Sequence, residues 1–225
     1  MIVAIDGPAG SGKGTVAKMI DEKLGFTRID TGAMYRCIAL KMLRKGIGLE
    51  EEEKIKELLE YTDIELKKEN NELYVYLDGE DVTKEIRTPA VNEVVSPVSS
   101  IKMIRIKMVD LQRAMKNKAE NIVMEGRDIT TVVFPDADVK IYLTASLEER
   151  ARRSFEELKA SQVDTTYEEV LESIKTRDEN DMQKEMGALK VAEDAIIVDN
   201  TNVSIEDTFV MVKKIIEEKL HSLKI

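Results

Sequence analysis

Gly7, Pro8, Ala9, Gly10, Ser11, Gly12, Lys13, Gly14 and Thr15 follow one another directly after the apolar run Ile2 to Ile5. From Gly7 to Gly12-Lys13 the spacing is that of a phosphate-binding loop. The glycines let successive backbone N–H groups turn inward, the lysine adds a cation, and the N-terminus of a following helix adds partial positive charge. This chemistry is the handling of a nucleoside triphosphate, with Lys13 and the loop N–H groups on its phosphates. One position departs from the usual pattern: Gly14 follows Lys13, and the hydroxyl comes one residue later, at Thr15.

A loop of this kind does not name a reaction, so the remaining residues must supply the acceptor. Asn117-Lys118-Ala119-Glu120 ends on the wrong residue for a guanine-reading Asn-Lys-x-Asp and stands before a strand rather than after one. Met124-Glu125 imitates the acidic strand end of an ATPase, but Gly126-Arg127-Asp128 follows at once. Arginines favour transfer over hydrolysis. A small-molecule kinase holds two anionic substrates, and a guanidinium binds phosphate through two parallel N–H donors without losing its charge. Arg36, Arg127, Arg150, Arg153 and Arg177 each lie near an expected strand end or helix terminus, where open α/β sheets bind their ligands. Any one of them alone reads as a surface ion pair, whereas the set behind this loop reads as a kinase.

The elements that must position these residues alternate. Ile2 to Ile5, Phe26 to Ile29, Asn121 to Met124, Val139 to Leu143 and Ala195 to Val198 are short β-branched runs separated by helical patterns. This is the rhythm of an α/β fold with a parallel sheet flanked by helices. Val16, Ala17, Ile20 and Leu24 give the helix after the loop one apolar face, ended by Gly25; Ile101, Ile104, Met108, Leu111 and Met115 do the same for a later helix. Ser146-x-x-Glu149 and Thr166-x-x-Glu169 predict capping boxes, and Ser204 predicts a cap on the last helix. From Asp63 to Val82 the rhythm changes to an antiparallel meander with turns at Asn70-Asn71 and Asp78-Gly79.

Composition excludes several classes. The 225 residues carry a net charge of −10, which argues against nucleic acid or anionic lipid as the main partner. Cys37 and His221 are the only residues of their types, so neither an intrachain disulfide nor a Cys/His metal site is expected. No apolar stretch approaches the ~20 residues of a membrane helix, and the first apolar run does not follow a basic region and is interrupted by Asp6, unlike a cleavable leader, so a cytoplasmic enzyme without a membrane partner is expected. No long exposed apolar seam is evident, and a monomer is expected.

The loop Gly7 to Thr15 resembles that of nucleoside monophosphate kinases, whose Gly-Thr order accounts for Gly14. Asp30-Thr31-Gly32-Ala33-Met34-Tyr35-Arg36, Leu77-Asp78-Gly79-Glu80-Asp81-Val82, Glu85-Ile86-Arg87-Thr88, Val95-Ser96-Pro97-Val98-Ser99, Gly126-Arg127-Asp128 and Thr131-Val132-Val133-Phe134-Pro135-Asp136-Ala137 are similar, in that order, to bacterial cytidylate kinases. The resemblance implies a single P-loop kinase domain over 1–225: a core of 1–61, 101–149 and 167–225 with a central five-stranded parallel sheet, a small antiparallel β insert in the nucleoside monophosphate-binding region at 62–100, and a short helical lid at 150–166. It implies ATP as donor, CMP and dCMP as acceptors, and Mg²⁺ held through phosphates and water, with Thr15 the one side chain in a position to join. Ser96, Arg105 and Asp128 would read cytosine, Asp181 would meet the pentose, and Thr31, Arg36, Arg127, Arg177 and Lys184 would complete the acceptor site. Catalysis would come from positioning and charge neutralisation by Lys13, Arg127, Arg150, Arg153 and Arg177.

Three positions depart from the family pattern. Lys184 stands where a third arginine is usual, Gly187-Ala188-Leu189 lacks a proline, and Thr130 replaces a glycine. A kinase for another acceptor, such as AMP, UMP or a small alcohol, and a CMP-binding regulator without turnover therefore stand beside the main reading.

Overall fold

All five residues of β1 (Ile2–Asp6) are buried, as a strand covered on both faces of a parallel sheet requires. The structure, a computed structural model, describes residues 1–70 and 72–222, with the backbone alone at Lys118. β1 pairs in parallel with β6 (Ile122–Gly126) and with β7 (Val139–Thr144). β7 pairs in turn with β8 (Ile196–Asp199), and β2 (Thr27–Asp30) forms the other edge, giving the order β2-β6-β1-β7-β8. The expected five-stranded parallel sheet is present.

The chain forms two compact units, residues 1–28 with 119–225, and residues 29–118. In the first unit, α1 (Lys13–Leu24) sends Val16, Ala17 and Ile20 into a core with Val3 and Ile5 of β1 and Ile141 and Leu143 of β7. α8 (Ile205–Ser222) adds Phe209, Val212 and Ile216 to that core. α6 (Leu147–Ala160) and α7 (Tyr167–Gln183) build a second apolar cluster in which Ala151, Val170 and Ile174 close on Ala9 of the glycine-rich loop. Thr166 and Glu169 form a complete capping box on α7. Ser146 accepts from the Glu149 N–H, but the Glu149 carboxylate turns to Arg152 and Arg153 rather than back to the cap. A charge-assisted bond to guanidinium outweighs a bond to a neutral amide, so half of that expected box is lost.

In the second unit, α2 (Thr31–Lys45) and α3 (Glu52–Glu60) precede the antiparallel meander β3 (Ile64–Glu69), β4 (Glu72–Leu77) and β5 (Glu80–Asp81). Asp78 and Gly79 both take positive φ, 52° and 84°, as a two-residue hairpin turn matched to strand twist demands. At the expected Asn70-Asn71 turn, Asn71 lies outside the described residues. The buried Lys41 of α2 donates to Tyr61 O at 2.7 Å and pairs with Asp78 at 2.5 Å, tying the helix to the base of the meander.

α4 (Pro89–Val98) and α5 (Lys102–Ala114) complete this unit. The inward face of α5 is rotated from the expected stripe: Ile104 and Met108 are buried, but so are Arg105, Val109 and Gln112, while Ile101 and Leu111 stay partly exposed. Arg105 is accommodated inside because its guanidinium finds the Ser99 carbonyl at 3.2 Å and the face of Tyr35.

Cys37 is fully buried on α2. Burial, and then the Asp30 and Asp78 carboxylates, push its thiol up to about 12. At pH 8 a thiol reagent such as DTNB should therefore leave Cys37 unmodified in the native protein and react with it at once in denaturant, as read from absorbance at 412 nm. Rapid native-state modification would contradict this burial.

Candidate phosphate site

The glycine-rich loop begins where β1 leaves the sheet. A Cβ at Gly7 would lie 2.0 Å from the Leu143 carbonyl oxygen of β7, so only glycine lets the chain turn this close to the neighbouring strand. Lys13 opens α1 and is buried, with 6% of its surface exposed. Its ammonium donates to Pro8 O at 2.7 Å and to Ser11 Oγ at 3.3 Å, and the same Ser11 hydroxyl donates to Pro8 O. Burial, and then the nearby Arg127 cation, push Lys13 well below the usual lysine range; Glu125, Asp6 and Asp181 oppose them.

Gly14, the off-pattern residue, now has a spatial reason. A Cβ there would meet Glu125 Oε1 at 3.2 Å and Arg28 Nη2 at 3.3 Å. Those two groups form an ion pair of 2.6 Å across β2 and β6. A side chain at residue 14 would press on that pair, whereas Thr15, one position further round α1, does not.

Asp6, at the end of β1, is fully buried and binds the turn that follows β6. Its carboxylate accepts from Ile129 N–H at 2.9 Å, Thr130 N–H at 2.7 Å and the Thr130 hydroxyl at 2.6 Å. Burial raises its pKa above the carboxylate norm, against the Thr130 and Ile129 donors and with Asp128 adding to the rise. Thr130, a departure from the family pattern, thus contributes a hydroxyl that a glycine lacks. The turn it anchors, Ile129–Val133, has π-helical bonding and follows directly on Arg127 and the buried Asp128.

Arg127, Arg177, Asp181 and Lys184 gather in this unit. The Asp181 carboxylate accepts from Arg127 Nε at 2.7 Å and from Lys184 Nζ at 2.8 Å. Burial alone would raise that carboxyl; the Arg127 and Lys184 charges outweigh it and hold it below the usual range. Burial, and then Arg127, push Arg177 down, with Asp181 and Asp178 opposing. Arg127 therefore disfavours the charge on both Lys13 and Arg177, and an added anion would relieve both.

Arg150 and Arg153 sit differently from the other arginines. Arg150 is buried and donates to Ala9 O at 2.8 Å, Ala145 O at 3.0 Å and Asp178 at 2.5 Å, while Asp178 also accepts from Ala9 N–H at 3.0 Å. In this arrangement the pair grips the loop backbone. Arg153 donates to Glu149, to Asn200 Oδ1 at 3.1 Å and to Asn200 O at 2.7 Å. A cavity of about 300 Å³ beside it is lined by Gly10, Gly12, Thr15, Arg153 and Ile205, among others. Asp178 and Asn200 escaped the sequence reading; the one signal for Asn200 was its place just past a strand end.

In the second unit, Asp30 accepts from Ala33 N–H at 2.9 Å and caps α2 immediately before the buried Thr31. Arg36 on the same helix donates to Ile86 O at 3.2 Å and to Asn92 Oδ1. Ser96 lies half-buried on α4, and Arg105 is only 2% exposed, its guanidinium 5.4 Å from the centre of the Tyr35 ring. An arginine so deeply placed and so oriented is not the surface charge that its helix position alone would suggest.

Residues 3–219 match the family model described as cytidylate kinase. The chain belongs to the cytidylate kinase family. A cytidylate kinase of Caldicellulosiruptor saccharolyticus is 50% identical over 215 residues, covering 96% of this chain and 93% of the relative. A cytidylate kinase of Caldanaerobacter subterraneus subsp. tengcongensis is 53% identical over 205 residues, covering 91% and 89%. A solved structure of an uncharacterized protein from Eubacterium ventriosum shares the fold at 15% identity, with a TM-score of 0.53 and coverage of 97% and 98%. Among the described residues of this cytidylate kinase family member, no group of three or more His, Cys, Asp or Glu side chains could hold a metal ion, and no helix is long and apolar enough to cross a membrane.

Asp178→Ala would leave the Arg150 charge buried without its carboxylate and the Ala9 N–H without its acceptor. It should lower unfolding stability by about 3–5 kcal/mol, the range for breaking a buried ion pair. The denaturant midpoint reads this directly; a loss below about 1 kcal/mol would show that the clamp carries little.

Proposed function

We propose that this chain transfers the γ-phosphoryl group of ATP to CMP or dCMP, giving the diphosphate and ADP. The observation that carries the reading is the group of cations made by the buried Lys13 with the partly buried Arg127, Arg177 and Lys184 beside the glycine-rich loop, in a chain of the cytidylate kinase family. Burial, and then the Arg127 charge, penalise the Lys13 and Arg177 cations, and an arriving anion would relieve both, which suits a site for phosphates.

Lys13 and the loop N–H groups take the donor phosphates. To do so, Lys13 exchanges Pro8 O and Ser11 Oγ for phosphate oxygens. Arg36, Arg127, Arg177 and Lys184, with Thr31 at the head of α2, take the acceptor phosphate; Arg127 and Lys184 then loosen from Asp181, which is assigned to the pentose hydroxyls. Ser96, Arg105 and Asp128 are each assigned to cytosine, whose N4 amino group donates while N3 and O2 accept. A polar reading site of this kind rejects a base lacking the matching groups by roughly 10⁴-fold. The acceptor phosphate is already anionic, so no general base is needed. Catalysis rests on alignment and on neutralising charge at the transferred group.

Mg²⁺ fits this donor set in one way only. Among the described residues no acidic cage is present, so the ion would be received on the nucleotide phosphates, as a small octahedral cation that keeps its waters, with the Thr15 hydroxyl as the one loop side chain assigned to join it. Held there, the ion would supply neutralisation of phosphate charge. Residues 62–100 are assigned as the acceptor-binding insert and 150–166 as a lid that excludes water, with Arg150 and Arg153 at its base. The protein is assigned as a cytoplasmic monomer.

Purified protein with Mg·ATP should phosphorylate CMP and dCMP well ahead of UMP and AMP in a coupled ADP assay; a preference for AMP would overturn the assignment of Ser96, Arg105 and Asp128. Lys13→Ala should remove turnover by at least about 10²-fold with the thermal melt retained. Lys184→Arg, which restores a forked donor, should leave kcat/KM for CMP equal or higher. A large loss would place Lys184 outside the phosphate site.

A further inference from the structure

The Asn200 side chain joins the glycine-rich loop to Arg153. It lies just past β8, is 0% exposed, and has its backbone fixed by N–H donation to Thr144 O at 2.8 Å. Its side-chain amide faces two ways. Nδ2 donates to Ser11 O at 3.1 Å, and Oδ1 accepts from Arg153 Nη1 at 3.1 Å. The Asn200 carbonyl accepts both Arg153 Nη2 at 2.7 Å and Val203 N–H at 3.0 Å. The amide also sits close to Gly12, where an added Cβ would come within 3.8 Å of Nδ2.

The consequence follows from peptide planarity. Ser11 C=O and Gly12 N–H belong to one trans peptide group, so they point in opposite directions. Holding the carbonyl toward Asn200 turns the Gly12 N–H away from it. Without a fixed partner for that carbonyl, a glycine-flanked peptide can rotate as a unit at little steric cost. The second bond, to Arg153, fixes a guanidinium at the wall of the cavity that Gly10, Gly12 and Thr15 also line.

We propose that Asn200 is a positioning residue for the donor nucleotide: one amide group holds the Ser11–Gly12 peptide with its N–H presented to the donor phosphates and holds Arg153 beside the donor cavity. Asn200 touches neither substrate. It couples the two walls of the donor site, so its removal weakens donor binding and leaves acceptor binding alone. This inference rests on the reading of the loop as the ATP site.

Asn200→Asp separates the two bonds, since a carboxylate still accepts from Arg153 but cannot donate to Ser11 O. The KM for ATP at saturating CMP should rise about tenfold in Asn200→Asp and further in Asn200→Ala, while the KM for CMP at saturating ATP stays within about twofold. A merely structural residue would move both constants together or lower only the amount of folded enzyme, and either result overturns the proposal, as does an unchanged KM for ATP. Should both variants fail to fold, the wild-type chain with ¹⁵N-asparagine decides. The Asn200 side-chain NH₂ resonances should shift on addition of the β,γ-imido analogue of ATP and not on addition of CMP; no shift, or an equal shift with CMP, overturns it. A wild-type protein inactive on ATP and CMP would refute the proposed function, while the analogue titration would still read the role of Asn200.

Discussion

Lys13 is a cation buried inside its own loop, and its desolvation is the constraint around which the first unit is arranged. An ammonium removed from water must be given oxygens or lose its charge. Here it takes Pro8 O and the Ser11 hydroxyl, partners that a phosphate can replace. The rest of the loop is held as well. Its outward carbonyls are accordingly taken by side chains from elsewhere: Ala9 O by Arg150, and Ser11 O by Asn200. Fixing the carbonyls fixes the N–H groups of the same peptide planes, which is electrostatic preorganisation in its simplest form.

The acids around the site each hold a cation. Asp181 holds Arg127 and Lys184, Glu125 holds Arg28, and Asp178 holds Arg150. These pairs are not equivalent. Asp178–Arg150 is sealed between α6, α7 and the loop and serves structure, whereas Asp181 shares its two oxygens between cations that a phosphate would also attract. Lys184 belongs to the second kind, and its replacement of an arginine exchanges a planar fork for a point charge without removing positive charge from the group.

Much of the architecture was legible in the order of residues because period and punctuation are local. An all-apolar strand before a glycine run, a helix ended by Gly25, a Thr-x-x-Glu box and an Asp-Gly turn each need only near neighbours, and each is found where expected. Expectations that depended on who lies opposite were altered. The Ser146 box lost its Glu149 half to two arginines, and the inward face of α5 took in Arg105 and Gln112. Spacing alone weighs apolarity and cannot anticipate a carbonyl and an aromatic face waiting for a guanidinium.

By itself, the sequence determined the family, the parallel sheet, the phosphate loop and the set of cations, since these rest on residue type, spacing and local backbone preference. Only the tertiary structure decided what each cation touches. It separated Arg150, bonded to Ala9 and Asp178, from Arg127 and Lys184, balanced on Asp181; it showed that a Cβ at residue 14 would crowd the Glu125–Arg28 pair; and it brought Asn200 to Ser11 across 189 positions of chain. Hydrogen bonds and ion pairs depend on distances of a few ångströms, and distances between residues far apart in the chain exist only after folding.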